Sequence, residues 1–434
     1  MKHTTTKIFI LTLFLTISGY LSAQEQNVIT TAAPFLTIAP DGRGGALGDV
    51  GATTSPDVYS QYWNPAKYIF AESNSGIGIS YTPWLSELVS DIFVGYVSGY
   101  YKINDRSAVS GSLRYFGLGE IQLTDETGQG QGSINPNEFS FDVAYSLKLD
   151  DRFSMAVSLR YIQSNIASAG GYNSSQDVGP GRSVGVDIAG YYTGKTKRYE
   201  SFDGTFTAGW NLSNIGPKMS YNQSTQDDYY LPTNMRLGVG YNFKFDEYNE
   251  LNLMFDVNKL LVVTPPHYMV NEQGDELDYI GAGKDANVGV IEGMFQSFYD
   301  APGYRVKADK NTKPEDQRGG YLVKEVSKDK YEYVIEDGSV FKEEMSEIAW
   351  GVGAEYVYDK TFALRGGYFH ESEFKGSRQF ATLGFGFMYN SIGLDFSYLL
   401  NMSDVKSPLE NTLRFSLTLD LDSFSLLGDE YEEE

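Results

Sequence analysis

Phe139-Ser140-Phe141-Asp142-Val143-Ala144-Tyr145-Ser146-Leu147-Lys148 changes face at every residue, with Phe139, Phe141, Val143, Tyr145 and Leu147 on one side and Ser140, Asp142, Ala144, Ser146 and Lys148 on the other. A two-residue period belongs to a β-strand, whose side chains point alternately to opposite faces. The same period returns in Met235, Leu237, Val239, Tyr241 and Phe243, in Ile392, Leu394, Phe396, Tyr398 and Leu400, and in Leu413, Phe415, Leu417 and Leu419. Soluble strands usually run to about five or six residues, whereas a tilted strand that crosses a bilayer needs about 9–11. Strands this long, with one apolar and one polar wall, are expected to be membrane strands.

Fourteen such segments follow one another, at 76–83, 89–101, 107–117, 137–148, 152–164, 182–193, 204–214, 233–245, 249–260, 348–359, 361–370, 378–390, 391–400 and 410–421. Their connections alternate in length. One set is short (102–106, 149–151, 194–203, 246–248, Asp359-Lys360, Asn390-Ser391); the other holds 118–136, 165–181, 215–232 and 260–347, with shorter members at 84–88, 371–377 and 401–409. An even strand count, with short turns at one end and long loops at the other, is the pattern of an outer-membrane barrel. The expected fold class is therefore all-β: a 14-stranded antiparallel transmembrane β-barrel, its long loops extracellular and both termini periplasmic. A secreted sandwich or propeller would bury its apolar faces in its own core and rarely needs so many long strands. On the barrel reading Asp142, Arg160, Arg236, Asp256, Glu355, Arg365, Asp395 and Arg414 face the lumen. Charges of both signs placed there pair with one another or with a plug. Tyr and Phe at strand ends would form two aromatic girdles.

Composition agrees and excludes other classes. The 434 residues include 46 Gly, 33 Tyr, 26 Phe and no Cys. Without Cys there is no disulfide staple, thiolate metal site or cysteine nucleophile. Three His (His3, His267, His370) leave little for a histidine metal site or a Ser-His pair, so neither a cofactor nor a metal is expected. The formal charge of −23 argues against nucleic acid, whose phosphates demand Lys and Arg. A mean hydropathy of −0.32 argues against a bundle of membrane helices.

At the start, Lys2 and Lys7 precede an apolar run from Ile8 to Leu21, and Leu21-Ser22-Ala23 supplies small residues for cleavage. Residues 1–23 are expected to be a secretory signal peptide, the run being shorter than the ~20 residues of a helical span. Residues 76–434 are assigned to the barrel, with an extracellular insert at 260–347 and an acidic tail at 422–434. The tail, ending Asp429-Glu430-Tyr431-Glu432-Glu433-Glu434, is expected to be simply solvated.

Residues 24–75 do not alternate. The stretch 34–51 is Gly-rich and irregular, and Pro56 to Tyr68 suggests a short helix entered from Ser55 with Pro56 at its first position. Phe35, Trp63 and Tyr68 point to packing rather than a loose leader. A hatch in the periplasmic mouth or lumen is expected, where inward-facing polar side chains can satisfy an irregular backbone.

The insert at 260–347 is far longer than a simple connection. Val288, Ile291, Phe295 and Phe298 recur at helical spacing and predict an amphipathic helix over 285–299. Its apolar stripe is expected to cap the barrel's own mouth in preference to meeting a partner. Tyr321–Val323 and Tyr331–Ile335 predict a small hairpin, and Leu261–Pro266 an apolar segment that could touch a neighbouring barrel. Gly181-Arg182-Ser183-Val184-Gly185 fits the G-x-S-x-G hydrolase pattern, but Ser183 opens a predicted strand instead of a strand–turn–helix elbow. Gly281-Ala282-Gly283 is half of a dinucleotide fingerprint with no βαβ unit around it.

Ala39-Pro40-Asp41-Gly42-Arg43-Gly44-Gly45-Ala46-Leu47-Gly48-Asp49-Val50-Gly51, followed by Asp57-Val58-Tyr59-Ser60-Gln61-Tyr62-Trp63-Asn64-Pro65-Ala66-Lys67, resembles the start of the PorV (LptO) family. These are outer-membrane barrels of the type IX secretion system of Bacteroidetes. Asn64-Pro65-Ala66 is similar to the hatch motif of the wider FadL family of hydrophobic-compound transporters, whose barrels have fourteen strands. The resemblance takes in signal, hatch, strand count and loop pattern.

It implies a role without catalysis: binding cargo by its C-terminal signal domain as it leaves the SprA (Sov) translocon barrel, docking on that barrel's lateral opening, and passing cargo to the sortase-like peptidase PorU. Implied partners are these proteins together with outer-membrane lipid and lipopolysaccharide. The candidate binding residues are then Asp41, Arg43, Asp49, Trp63, Asn64 and Pro65 in the hatch and Ile291, Phe295 and Phe298 in the insert. Gly128–Gly132, Gly170-Gly171-Tyr172 and Tyr221, Tyr229 and Tyr230 are further loop candidates. The alternative is a FadL-like channel for uptake of hydrophobic small molecules. It needs an apolar cavity behind Asn64-Pro65-Ala66, and the charges on the lumen face argue against one. A lipopolysaccharide-modifying enzyme lacks an assembled Ser/His/Asp set.

Overall fold

A computed structural model describes residues 27–84, 91–124, 127–166, 179–221, 228–403 and 412–422. Fourteen strands form one ring: β1 (Ser75–Pro83), β2 (Ile92–Asn104), β3 (Ser107–Leu118), β4 (Asn137–Asp150), β5 (Phe153–Asn165), β6 (Gly181–Thr193), β7 (Asp203–Ile215), β8 (Asn234–Lys244), β9 (Asn249–Leu260), β10 (Ile348–Tyr358), β11 (Phe362–His370), β12 (Gln379–Tyr389), β13 (Ile392–Asn401) and β14 (Leu413–Asp420). Each pairs antiparallel with its sequence neighbour, and β14 returns to β1 to close the barrel. The alternating segments thus become strands one for one. Asp359 and Lys360, both with φ near +51°, make the tight left-handed turn that a two-residue hairpin requires.

The wall is inside out relative to a soluble protein. Along β4, Phe141 and Tyr145 are half exposed on the outer face, whereas Asp142 and Ser146 are buried within. In the lumen, register places Asp142 opposite Arg160 and Glu355 opposite Arg365. Aromatic side chains gather at both rims. Tyr81, Phe93 and Tyr115 touch in sequence at the long-loop end, with centroids 5.4 and 5.9 Å apart, and Tyr101, Tyr358 and Tyr389 stand exposed at the short-turn end. An apolar outer band between aromatic rims is what a lipid bilayer selects. Among the described residues no helix is long and apolar enough to cross a membrane.

The insert is a folded unit. Glu276–Ala282, His267–Val270, Lys330–Tyr333, Tyr321–Ser327 and Gln317–Arg318 form a five-stranded sheet that includes the predicted hairpin. The hatch carries two short helices, α1 (Gly42–Ala46) and α2 (Ser60–Trp63), and the insert two more, α3 (Val290–Gln296) and α4 (Ser339–Ser346).

Several expectations are corrected. The Gly-rich stretch is not wholly irregular, since Asp41 caps α1 by accepting from the Gly44 amide. The helix expected from Pro56 starts only at Ser60, because Asp57 and Ser60 first build a turn: the Tyr59 amide donates to Asp57 and the Asp57 amide to the Ser60 hydroxyl.

Of the two places expected for the hatch, the periplasmic mouth and the lumen, the segment occupies the lumen. It runs the length of the lumen. Asn27 donates to the Pro265 carbonyl and to Glu343, and the Ala32 amide donates to the Tyr230 carbonyl, all at the long-loop end. Asn74 bonds to Lys102 and Asp422 at the other end. Asn27 and Asp422 therefore lie at opposite mouths, not together as expected for the termini. The cause is packing: Phe35 and Leu36 find an apolar surface in Val94, Phe116 and Ile162, near the loop ends of their strands, and in Leu231 of the loop before β8. The expected signal peptide, Gly170-Gly171-Tyr172 and the tail beyond Asp422 lie outside the described residues.

Candidate functional site

The hatch is bolted to nearly every sector of the wall. Arg43 meets Glu355 with two parallel bonds of 2.9 and 2.8 Å, and reaches Asp57 at 2.8 Å and the Ser55 hydroxyl at 2.6 Å. Such two-pronged pairing is the strongest form of guanidinium–carboxylate contact. Glu355 passes the chain of charges on to Arg365 and Asp395, at 2.8 and 2.5 Å. Asp41 accepts the Trp63 indole N–H at 2.6 Å, and the indole fills the space beside Gly44 and Gly51, where a Cβ would lie 2.2 Å from it. Asp49 pairs with Arg414 at 3.1 Å. Asn64 caps the turn Pro65–Phe70 and donates to the Ala52 and Gly190 carbonyls, while the Pro65 carbonyl accepts from Ser146.

Residues outside the sequence-based set complete the hatch. Asp256 accepts the Gly51 and Ala52 amides at 2.9 Å each. Buried Lys67 donates to Gly51 and Thr54. The Tyr59 hydroxyl lies 3.1 and 2.8 Å from the carbonyls of Ile79 and Leu417, one on each side of the seam where β1 meets β14. Two cavities flank the hatch. The one at the short-turn mouth, about 480 Å³, is lined by Arg43, Asp57, Glu355, Arg365 and Asp395; the one at the loop side, about 260 Å³, by Asp49, Tyr62, Arg160, Arg236 and Arg378. Both mix these charges with apolar lining, Phe70, Phe362 and Phe387 in the first and Leu36, Leu260 and Phe369 in the second.

The loop-side mouth is built differently. Leu261, Val262 and Val263 are buried, Val262 and Val263 packing around Tyr230, so this segment is not available to a neighbouring barrel as expected. The Tyr230 hydroxyl donates to the Val288 and Ala286 carbonyls at 2.7 and 3.2 Å, which pins the approach to α3. Gly293 then lies against Val263 and Tyr230, and Gln296 reaches back to the Asp285 carbonyl. With that side inward, Ile291 and Phe295 of α3 and Phe298 just beyond it point out; Phe295 is 69% exposed. The helix is shorter than expected and its apolar stripe does not cap the mouth.

Helix α4 repeats the arrangement, with Phe341 71% exposed and Val340 and Met345 also out. Below both helices Asp300, Glu343, Glu344 and Glu347 gather around Lys259 and Lys375. Burial, helped by the charges of Glu347 and Glu344, pushes the Asp300 carboxyl from 3.8 up to about 6. Burial likewise raises Glu344 and lowers His267.

The sequence profile of the family described as "Type IX secretion system protein PorV" matches residues 21–267, more than half of the chain. The chain belongs to the PorV family. It is thus an outer-membrane component of the type IX secretion system, as hatch and barrel together led one to expect. The match takes in the PorV hatch and the strands through β9, and ends where the insert begins to fold.

Comparison with curated proteins finds no match. Among solved structures the chain is similar to the Ralstonia pickettii toluene transporter TbuX (11% identity, 88% of this chain and 96% of that one, TM-score 0.41) and the Pseudomonas putida toluene transporter TodX (10%, 91% and 98%, 0.43). A Pseudomonas aeruginosa FadL homologue is comparable (11%, 91% and 99%, 0.38). Likeness at that level adds nothing to the strand order itself.

On this PorV chain the nine candidate residues fall into two separate groups. Asp41, Arg43, Asp49, Trp63, Asn64 and Pro65 come together as interior bolts of the hatch. Ile291, Phe295 and Phe298 stand apart on the insert surface. Ser183 lies near the loop end of β6 and donates to the Pro217 carbonyl, with no elbow around it. Phe341 and Met345 were missed, although their four-residue spacing was a readable signal.

Proposed function

We propose that this protein works on its outer surface and not through its pore: it receives cargo by C-terminal signal domains at the translocon and passes it to the surface attachment machinery, without catalysis. The observation that carries this reading is the contrast between a lumen filled by a bonded hatch and the large apolar side chains exposed on α3 and α4, beyond the ends of β9 and β10. Moving the hatch would strip partners from many buried polar groups, at about 1–3 kcal/mol each. Scattered exposed apolar residues are ordinary, but several large ones grouped outside the lipid band mark a contact surface. Passage of hydrophobic molecules would need a continuous apolar path, and the cavities on both sides of the hatch set charged groups among their apolar lining.

Cells carrying Phe295→Ser and Phe341→Ser together test this. With barrel levels unchanged, cargo bearing C-terminal signal domains is expected to accumulate in the periplasm. Normal surface attachment of that cargo would sink the proposal. Since the chain has no Cys, orientation can be read directly. Asn287→Cys is expected to react with an impermeant maleimide on intact cells, and Lys360→Cys only after the outer membrane is opened.

A further inference from the structure

The charged knot beneath the insert helices is not balanced. Asp300, Glu343, Glu344 and Glu347 bring four carboxylates, Lys259 and Lys375 two ammonium groups, and all six are buried. Glu343 is fully used, by Lys375 at 2.7 Å, Asn27 at 3.0 Å and the Gly303 amide at 2.8 Å. Glu347 is used by Lys259 at 2.5 Å, Lys375 at 3.0 Å and the Thr264 hydroxyl at 2.6 Å.

The other two carboxylates are not. Glu344 accepts from the Ala301 amide at 2.8 Å, feels the Asp300 amide as well, and stands 3.8 Å from Lys259, beyond hydrogen-bond reach of that ammonium. Asp300 is 1% exposed; one oxygen accepts from the Thr264 amide and the other, Oδ1, is buried with no partner at all. Buried polar atoms in folded proteins are nearly always satisfied, so an orphaned carboxylate oxygen marks a missing partner.

One oxygen each from Asp300, Glu344 and Glu347 lie within 4.8 Å of one another. Calcium, bound at ~2.3–2.6 Å in flexible geometry, can touch oxygens this close together, whereas magnesium demands a near-ideal octahedron and keeps several waters. All three donors are oxygens, which suits a hard cation and not zinc or copper. A divalent ion would also supply the two positive charges that the knot lacks.

We propose that Asp300, Glu344 and Glu347 form a calcium site that ties the segment after α3 to α4. Lys259 bonds Glu347 at 2.5 Å and stands 3.8 Å from Glu344, so it borders the site and competes with the ion for these two carboxylates. The site couples the two helices that carry the exposed aromatic residues, so calcium would set their relative placement. Sequence offered no hint, because the three ligands are scattered over the insert and none lies in a calcium-loop motif.

The test uses the full-length barrel in detergent, stripped with chelator and titrated calorimetrically with calcium chloride. Wild type is expected to take up one calcium per chain at this site. Asp300→Asn and Glu344→Gln should each weaken that uptake at least tenfold while keeping the heat-modifiable gel mobility of a folded barrel. Calcium should also slow proteolysis of the insert in wild type and not in either variant. If one variant fails to fold, the other carries the comparison. No uptake by wild type at millimolar calcium, or equal uptake by both variants, overturns the site. So does uptake that appears only in Lys259→Met, which would make the lysine the resident cation.

Discussion

Hatch and insert are both additions to the same ring, and both are rich in aromatic and charged residues, yet they treat them in opposite ways. Trp63 is 2% exposed with its N–H bonded to Asp41, whereas Phe295 is 69% exposed. The lumen wall offers the hatch a donor or acceptor at almost every level, so an irregular segment can be buried there with few side-chain groups of its own left unpaired, Thr53 Oγ1 among them. The insert has only its own small sheet and the rim to lean on. Its helices bury Gly293 and Gln296, or Glu343 and Glu344, and leave their larger apolar groups outside. Similar ingredients give a bolt in one place and a contact surface in the other.

The contrast can be broken from the hatch side first. Arg43→Ala leaves buried Glu355 with Arg365 as its one charged partner, and is expected to destabilise by about 3–5 kcal/mol, seen as a lower denaturant midpoint for loss of the heat-modifiable form. Gly51→Ala drives a methyl into the Trp63 indole and should cost about 1–3 kcal/mol by the same measurement. Tyr230→Phe removes the bond to the Val288 carbonyl and is expected to cost about 0.5–1.5 kcal/mol, with faster amide exchange confined to α3. The smallest effect sharpens the comparison. Phe295→Ser should change stability by no more than ~0.5 kcal/mol, as an exposed residue does, so a larger loss would mean that this side chain is structural.

Much of the fold was legible because a strand's period is a local property. Each alternating segment announces its own two faces, and the parity of short and long connections closes the ring. The hatch was half legible. Its chemistry-bearing residues, Asp41, Arg43, Trp63 and Asn64, could be picked from one short stretch, but their partners could not. Arg43 and Glu355 stand 312 positions apart, Asp49 and Arg414 365. Pairing across a barrel is a product of closure, which no window of sequence contains. The insert failed for another reason. Helical spacing of Ile291, Phe295 and Phe298 identifies an apolar stripe but says nothing of what covers it, and here the side facing the protein is set by Gly293, which lets the helix approach Val263 and Tyr230 closely.

The path of the hatch bears on how such a molecule comes into being. A thread through a closed ring arrives there in one of two ways: an end is passed through, or the ring is closed around it. The seam between β1 and β14 has six paired positions, against eleven between β8 and β9, and Tyr59 of the thread bonds to both of its edges. The thread thus fastens the seam as well as filling the ring, and a barrel sealed without it would lack one of its own fasteners.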